Sequence, residues 1–135
     1  MSKREKKKFG GLRLIRSFRA AAAGLGQTLR TEQNMRIHFV VAILVAVAGW
    51  WLKISLEEWL LICLCIGGVI GTELLNTAIE YLADVTRDQM KLGYEATRYP
   101  RDMAAAAVLI MSVVAVVVGL AIFLPKLILK FNGLL

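Results

Sequence analysis

Residues 103–124 form a run of 22 positions with no charge and a single polar side chain, Ser112. A bilayer's hydrocarbon core needs about 20 apolar residues to cross as a helix. No water reaches that core, so the segment must satisfy its own backbone hydrogen bonds, and a helix does so. Two further runs behave alike. One spans residues 37–52 and ends at Trp50-Trp51; it extends backward into residues 30–38, leaving Glu32 and Arg36 near the bilayer boundary. The other covers residues 59–83. The third run is expected to stop at Pro125-Lys126. Trp50, Trp51 and Trp59 form an aromatic belt at one interface. The fold class is therefore an all-α membrane protein with three transmembrane helices in one domain, residues 1–135.

Charge locates the rest. The chain is 58% hydrophobic yet has a formal net charge of +7, a combination that suits an integral membrane protein better than a soluble globule. Residues 1–10 read as a solvated basic tail drawn to anionic lipid rather than to nucleic acid, with no signal-peptide pattern. Residues 11–36 repeat apolar positions at helical spacing, with Arg13, Arg16 and Arg19 three apart. This predicts an amphipathic helix on the membrane surface, bent or ended by Gly24 and Gly26. The second interhelical loop is basic, with Arg87, Lys91, Arg98 and Arg101. The positive-inside rule then puts it and the N-terminus in the cytoplasm, with the chain in the cytoplasmic (inner) membrane. Cys63 and Cys65 are two apart and point to different helix faces, which argues against a disulfide or a metal pair. Lone His38 reads as an interfacial polar residue. Small residues cluster at Gly67-Gly68-Val-Ile-Gly71 and Ala104–Ala107 and permit close helix contacts. Three thin spans bury little, so an oligomer is expected.

One stretch departs from the apolar pattern. Glu73, Asn76, Glu80 and Asp84 step by three, four and four residues. At about 100° per residue they lie within roughly 80° of one helix face. An intramembrane acid costs at least ~2.5 kcal/mol, which makes it a functional site by default. Glu73 lies ~16 Å deeper than Asp84, at about 1.5 Å per residue. Glu32 and Arg101-Asp102 arrive at the same cytoplasmic level from other segments. The arrangement suits a hard cation meeting a lipid-borne group, because Mg²⁺ takes one or two carboxylates plus substrate phosphates. Arg13, Arg16, Arg98 and Arg101 are the cations available to phosphate. On the residues alone, catalysis, a small trimeric ion or proton carrier, and purely structural acids all stay open. Asp84 also has a plain partner in Arg87 at i+3.

The twelve-residue segment Glu73-Leu-Leu-Asn76-Thr77-Ala-Ile-Glu80-Tyr-Leu-Ala-Asp84 closely resembles the signature of the small prokaryotic integral-membrane diacylglycerol kinases, which include undecaprenol kinases. The segment from Arg30 through Glu32 and Arg36 to His38 resembles that family's N-terminal motif, particularly its Gram-positive branch. Arg101-Asp102 followed by small residues is similar to its Lys-Asp segment. The likeness extends over residues 12–124. It implies a homotrimer with composite sites between protomers, transferring the ATP γ-phosphate to a lipid hydroxyl, with undecaprenol favoured over diacylglycerol. By position, Glu73 is the general base and Asn76 organises the site. Glu32 and Glu80 hold Mg²⁺. Arg101 and Asp102 contact the nucleotide, and Arg13 lies near the phosphates or the lipid. No P-loop is present. Two departures stand out: Arg101 replaces the usual Lys, and the loop before it, residues 85–100, is about three residues longer. Pro100 is expected to start the third span.

Overall fold

A computed structural model describes the backbone of residues 3–133 and the side chains of residues 11–133. It contains four helices: α1 (Lys3–Thr31), α2 (Gln33–Trp51), α3 (Leu56–Met90) and α4 (Glu95–Phe131). Helices α2, α3 and α4 are each long and apolar enough to cross a membrane. Among the described residues no strand occurs.

The helix boundaries differ from the sequence expectation in instructive ways. Backbone helix already starts at Lys3, inside the segment read as a tail; the side chains of that segment, and residues 1 and 2 entirely, lie outside the described residues. Helix α1 runs through Gly24 and Gly26 and ends at Thr31, not at residue 36. The break is Glu32, whose extended backbone (φ −98°, ψ 123°) separates α1 from α2. Its carboxylate makes no capping bond and stays free for other work. Pro100 does not start α4, which begins five residues earlier at Glu95, and Pro125 does not end it. Each proline deletes one backbone hydrogen bond. Within an apolar span the remaining backbone has no partner outside the helix, so the helix continues across Pro125.

Antiparallel helices α3 and α4 pack along much of their length, and α2 leans on α3. The densest packing lies at the α2–α3 hairpin. There Leu52, Ile54, Ile62 and Ile122 are buried together, flanked by Trp59 and Phe123. Gly49 lets this corner close, since a Cβ there would sit 3.0 Å from both the Ile54 methyl and the Trp59 ring. Helix α3 then starts on a capping box: the Ser55 hydroxyl accepts from the Glu58 N–H, and the Glu58 carboxylate accepts from the Ser55 N–H at 2.6 Å. Lys126 of α4 reaches Glu58 at 3.1 Å, and the Lys130 ammonium lies 4.5 Å over the Trp51 ring. The belt of three tryptophans thus shares one end of the bundle with two lysines. The acidic stripe lies toward the other end.

Candidate functional site

The site is built mainly on α3. Glu73 is 2% exposed and Asn76 is 6% exposed, so the stripe turns its first two members inward. One turn further on, the Asn76 amide donates from Nδ2 to Glu80 Oε1 at 3.1 Å. That bond leaves Asn76 Oδ1 buried without a partner. A buried carbonyl oxygen normally finds a donor or an ion, because leaving it unpaired costs about 1–3 kcal/mol. The orphan oxygen next to the Glu80 carboxylate is a hard-ligand position in search of a cation or a donor.

A second element converges on Glu73. Helix α2 places His38 Nε2 3.9 Å from Glu73 Oε2. His38 is therefore not merely an interfacial residue. Its imidazole is four-fifths covered and faces the buried acid. Glu32 stands at the break just before α2, six residues ahead of His38. Among the described residues, no group of three or more His, Cys, Asp or Glu side chains forms a ready-made metal cage. The donor set still fits Mg²⁺, because the Glu80 carboxylate and the unpaired Asn76 oxygen are hard ligands side by side and Mg²⁺ takes only one or two carboxylates from a protein.

Asp84 and the start of α4 form a second cluster. Asp84 Oδ1 accepts from Arg87 Nη1 at 3.0 Å and also from Arg101 Nη2. The i+3 pairing expected from sequence is present, and a residue from the next helix joins it. The Arg101 guanidinium also lies 5.6 Å over the Tyr94 ring. Its Nε is buried and has no acceptor. Asp84 and Tyr94 thus hold a cation with donors still unspent, Nε among them, a suitable arrangement for phosphate. Asp102 points elsewhere: it is exposed and meets Arg98 at 3.4 Å. Arg13 is exposed on α1, and no described contact links its side chain to the acids. So Glu73, Asn76 and Glu80 come together with His38, Arg101 joins Asp84, and no described side-chain contact links Glu32, Arg13 or Asp102 to the stripe.

Beside this cluster an apolar groove of ≈ 390 Å³ runs between α2, α3 and α4. Val45, Ile66, Ala115, Gly119 and Phe123 line it, and His38 stands among its lining residues.

Comparison with known proteins adds an independent line. The family model described as prokaryotic diacylglycerol kinase matches residues 19–123. The undecaprenol kinase of Bacillus subtilis (strain 168) is 40% identical over 115 residues, covering 85% of this chain and 91% of that protein. The diacylglycerol kinase of Synechocystis sp. (strain ATCC 27184 / PCC 6803 / Kazusa) is 36% identical over 114 residues, 84% of this chain and 64% of that protein. No solved structure matches the chain.

Proposed function

This chain belongs to the prokaryotic diacylglycerol kinase family, and from that membership we propose that it transfers the γ-phosphate of ATP to a membrane lipid hydroxyl, undecaprenol before diacylglycerol. Lipid kinase activity is the family's, and the substrate order follows the higher identity and fuller coverage of the undecaprenol kinase relative. The observation that carries the mechanism is the buried Glu73 beside the Asn76–Glu80 pair.

In this reading Glu73 takes the proton of the lipid hydroxyl. It sits deep enough to meet an alcohol that never leaves the membrane, and its burial shields the reaction from competing water. Asn76 holds the Glu80 carboxylate in place and keeps its own oxygen free. Glu32 and Glu80, with Asn76 Oδ1, would hold Mg²⁺, which when bound neutralises charge on the phosphates. Arg101, gripped by Asp84, faces the nucleotide's anionic groups. Asp102 and Arg13 belong to the nucleotide and phosphate periphery, within reach only after side-chain movement. Catalysis is then positioning and charge neutralisation, without a P-loop. The basic loop and N-terminus face the cytoplasm, where ATP is, and the protein sits in the cytoplasmic membrane as a homotrimer.

The test uses purified protein with labelled ATP, Mg²⁺ and each lipid in mixed micelles. Label should pass to undecaprenol faster than to diacylglycerol, and chelation of Mg²⁺ should stop it. Absence of transfer to either lipid would remove the kinase reading and return the stripe to ion or proton carriage.

A further inference from the structure

The gap between His38 and Glu73 has a specific size. At 3.9 Å, His38 Nε2 is too far from Glu73 Oε2 for a direct hydrogen bond. It is close enough for one oxygen atom to lie about 2.8 Å from both. An oxygen in that place gives its hydrogen to the carboxylate and receives one from the imidazole N–H. Its second lone pair stays free.

The surroundings say what kind of oxygen belongs there. His38 is the one ionisable side chain in the lining of the apolar groove, apart from the weakly acidic Cys65 thiol. The groove follows α2 from His38 to Val45 and α4 from Ser112 to Phe123, away from the Glu80 side of the stripe and into the span. Gly119 lines it, and a Cβ built there meets nothing within 4 Å, so the space is open. A molecule with a long apolar chain and a single terminal hydroxyl matches this layout. Its chain fits the groove, and its hydroxyl ends between His38 and Glu73.

We infer that His38 is the second contact of the acceptor hydroxyl: its imidazole N–H holds the oxygen while Glu73 removes the proton. This rests on the kinase reading with Glu73 as base. The hydroxyl O–H breaks and its proton passes to Glu73. A bond forms from that oxygen to the γ-phosphorus. The bond from the γ-phosphorus to the β,γ-bridging oxygen breaks, and ADP leaves with the electron pair. His38 donates throughout and exchanges no proton. Its task is to aim the free lone pair and to stabilise the negative charge that builds on the oxygen as it loses its proton.

Two substitutions test this in the full chain, with a medium-chain alcohol and undecaprenol as acceptors. His38→Phe keeps an aromatic ring but removes the donor. It should lower kcat/KM for either acceptor about 10- to 100-fold, the range for losing one hydrogen bond to a charged group. The KM for ATP should stay unchanged, as should the thermal unfolding midpoint. His38→Gln restores an N–H donor and should recover at least a third of the lost activity on a logarithmic scale. If Phe and Gln lower transfer to the same degree, His38 is only a packing residue and the inference fails. Wild-type transfer by His38→Phe would overturn it as well. Should His38→Phe not fold, His38→Met removes the donor with a flexible apolar chain and carries the same expectation. Glu73→Gln, run in parallel, separates the two readings. A dead Glu73→Gln beside an unaffected His38→Phe sinks the hydroxyl contact alone. An active Glu73→Gln sinks the base assignment beneath it.

Discussion

At the scale of single residues, the stripe splits into two jobs. Glu73 and Asn76 are buried, whereas Asp84 is half exposed and holds Arg87 and Arg101. The Asp84–Arg101 contact joins residues 17 apart in sequence, on two helices. Asp84→Asn weakens that grip and lets the Arg101 side chain wander from the proposed phosphate position. Because the carboxylate is partly solvated, the pair is worth only about 1 kcal/mol. The expected result is a KM for ATP about fivefold higher with the acceptor KM unchanged, read from initial rates. A second pair of substitutions tests shared metal binding. Glu32→Ala and Glu80→Ala should each raise the Mg²⁺ concentration needed for half-maximal rate, and the double variant should add little beyond either single one, because partners in one site do not act independently. Additive losses would place the two carboxylates in separate sites. Much of this cluster was legible beforehand, because period, depth and the twelve-residue signature all pointed at the same face. His38 was not. A single histidine beside an apolar run carries no mark of which way its helix faces, and only the packing of α2 on α3 turns it toward Glu73.

At the scale of elements, the spans were readable and their ends were not. Apolar length forces helix wherever hydrocarbon must be crossed, so α2, α3 and α4 follow from composition. Proline and glycine are weaker signals there. Pro100 and Pro125 lie inside α4, and Gly24 and Gly26 lie inside α1, since in each case the cost of one poor residue is smaller than the cost of ending the helix. The α2–α3 corner shows the opposite case, where one glycine is required. Gly49 stands against Ile54 and Trp59 with no space for a side chain. Gly49→Ile overpacks that corner and should destabilise the protein by about 1–3 kcal/mol. Gly24→Ala is the matched control, because a methyl there meets nothing within 4 Å. It should be neutral or stabilise α1 by up to about 1 kcal/mol. Thermal unfolding of both variants in one detergent checks the contrast, and equal midpoints would show that the corner yields to the extra atoms.

At the scale of the whole molecule, a single chain leaves its bundle unfinished. Leu64 and Leu75 on α3 and Leu109 and Val117 on α4 stand largely uncovered. Lipid tails can cover such leucines and valines at no loss, so they do not by themselves demand a second copy. Gly67 and Gly71 are more telling. They are four residues apart on α3, on a helix whose other glycine in this segment, Gly68, already meets the Met111 side chain of α4. Neither Gly67 nor Gly71 has an atom of this chain within 4 Å of a built Cβ. Lipid gains nothing from two missing side chains, whereas a neighbouring helix gains close backbone approach from them. The proposed trimer gives that pair a use. Gly71→Leu then separates the possibilities. Against lipid, the added side chain is harmless and both assembly and activity stay near wild type. Against a neighbouring α3, it forces the helices apart. Cross-linking in detergent should then show a loss of trimer in favour of monomer. Kinase activity should fall in step with the trimer fraction if neighbouring chains complete each site, while the thermal midpoint of the remaining helical signal changes little. A trimer that persists in Gly71→Leu places the interface on another face of the bundle.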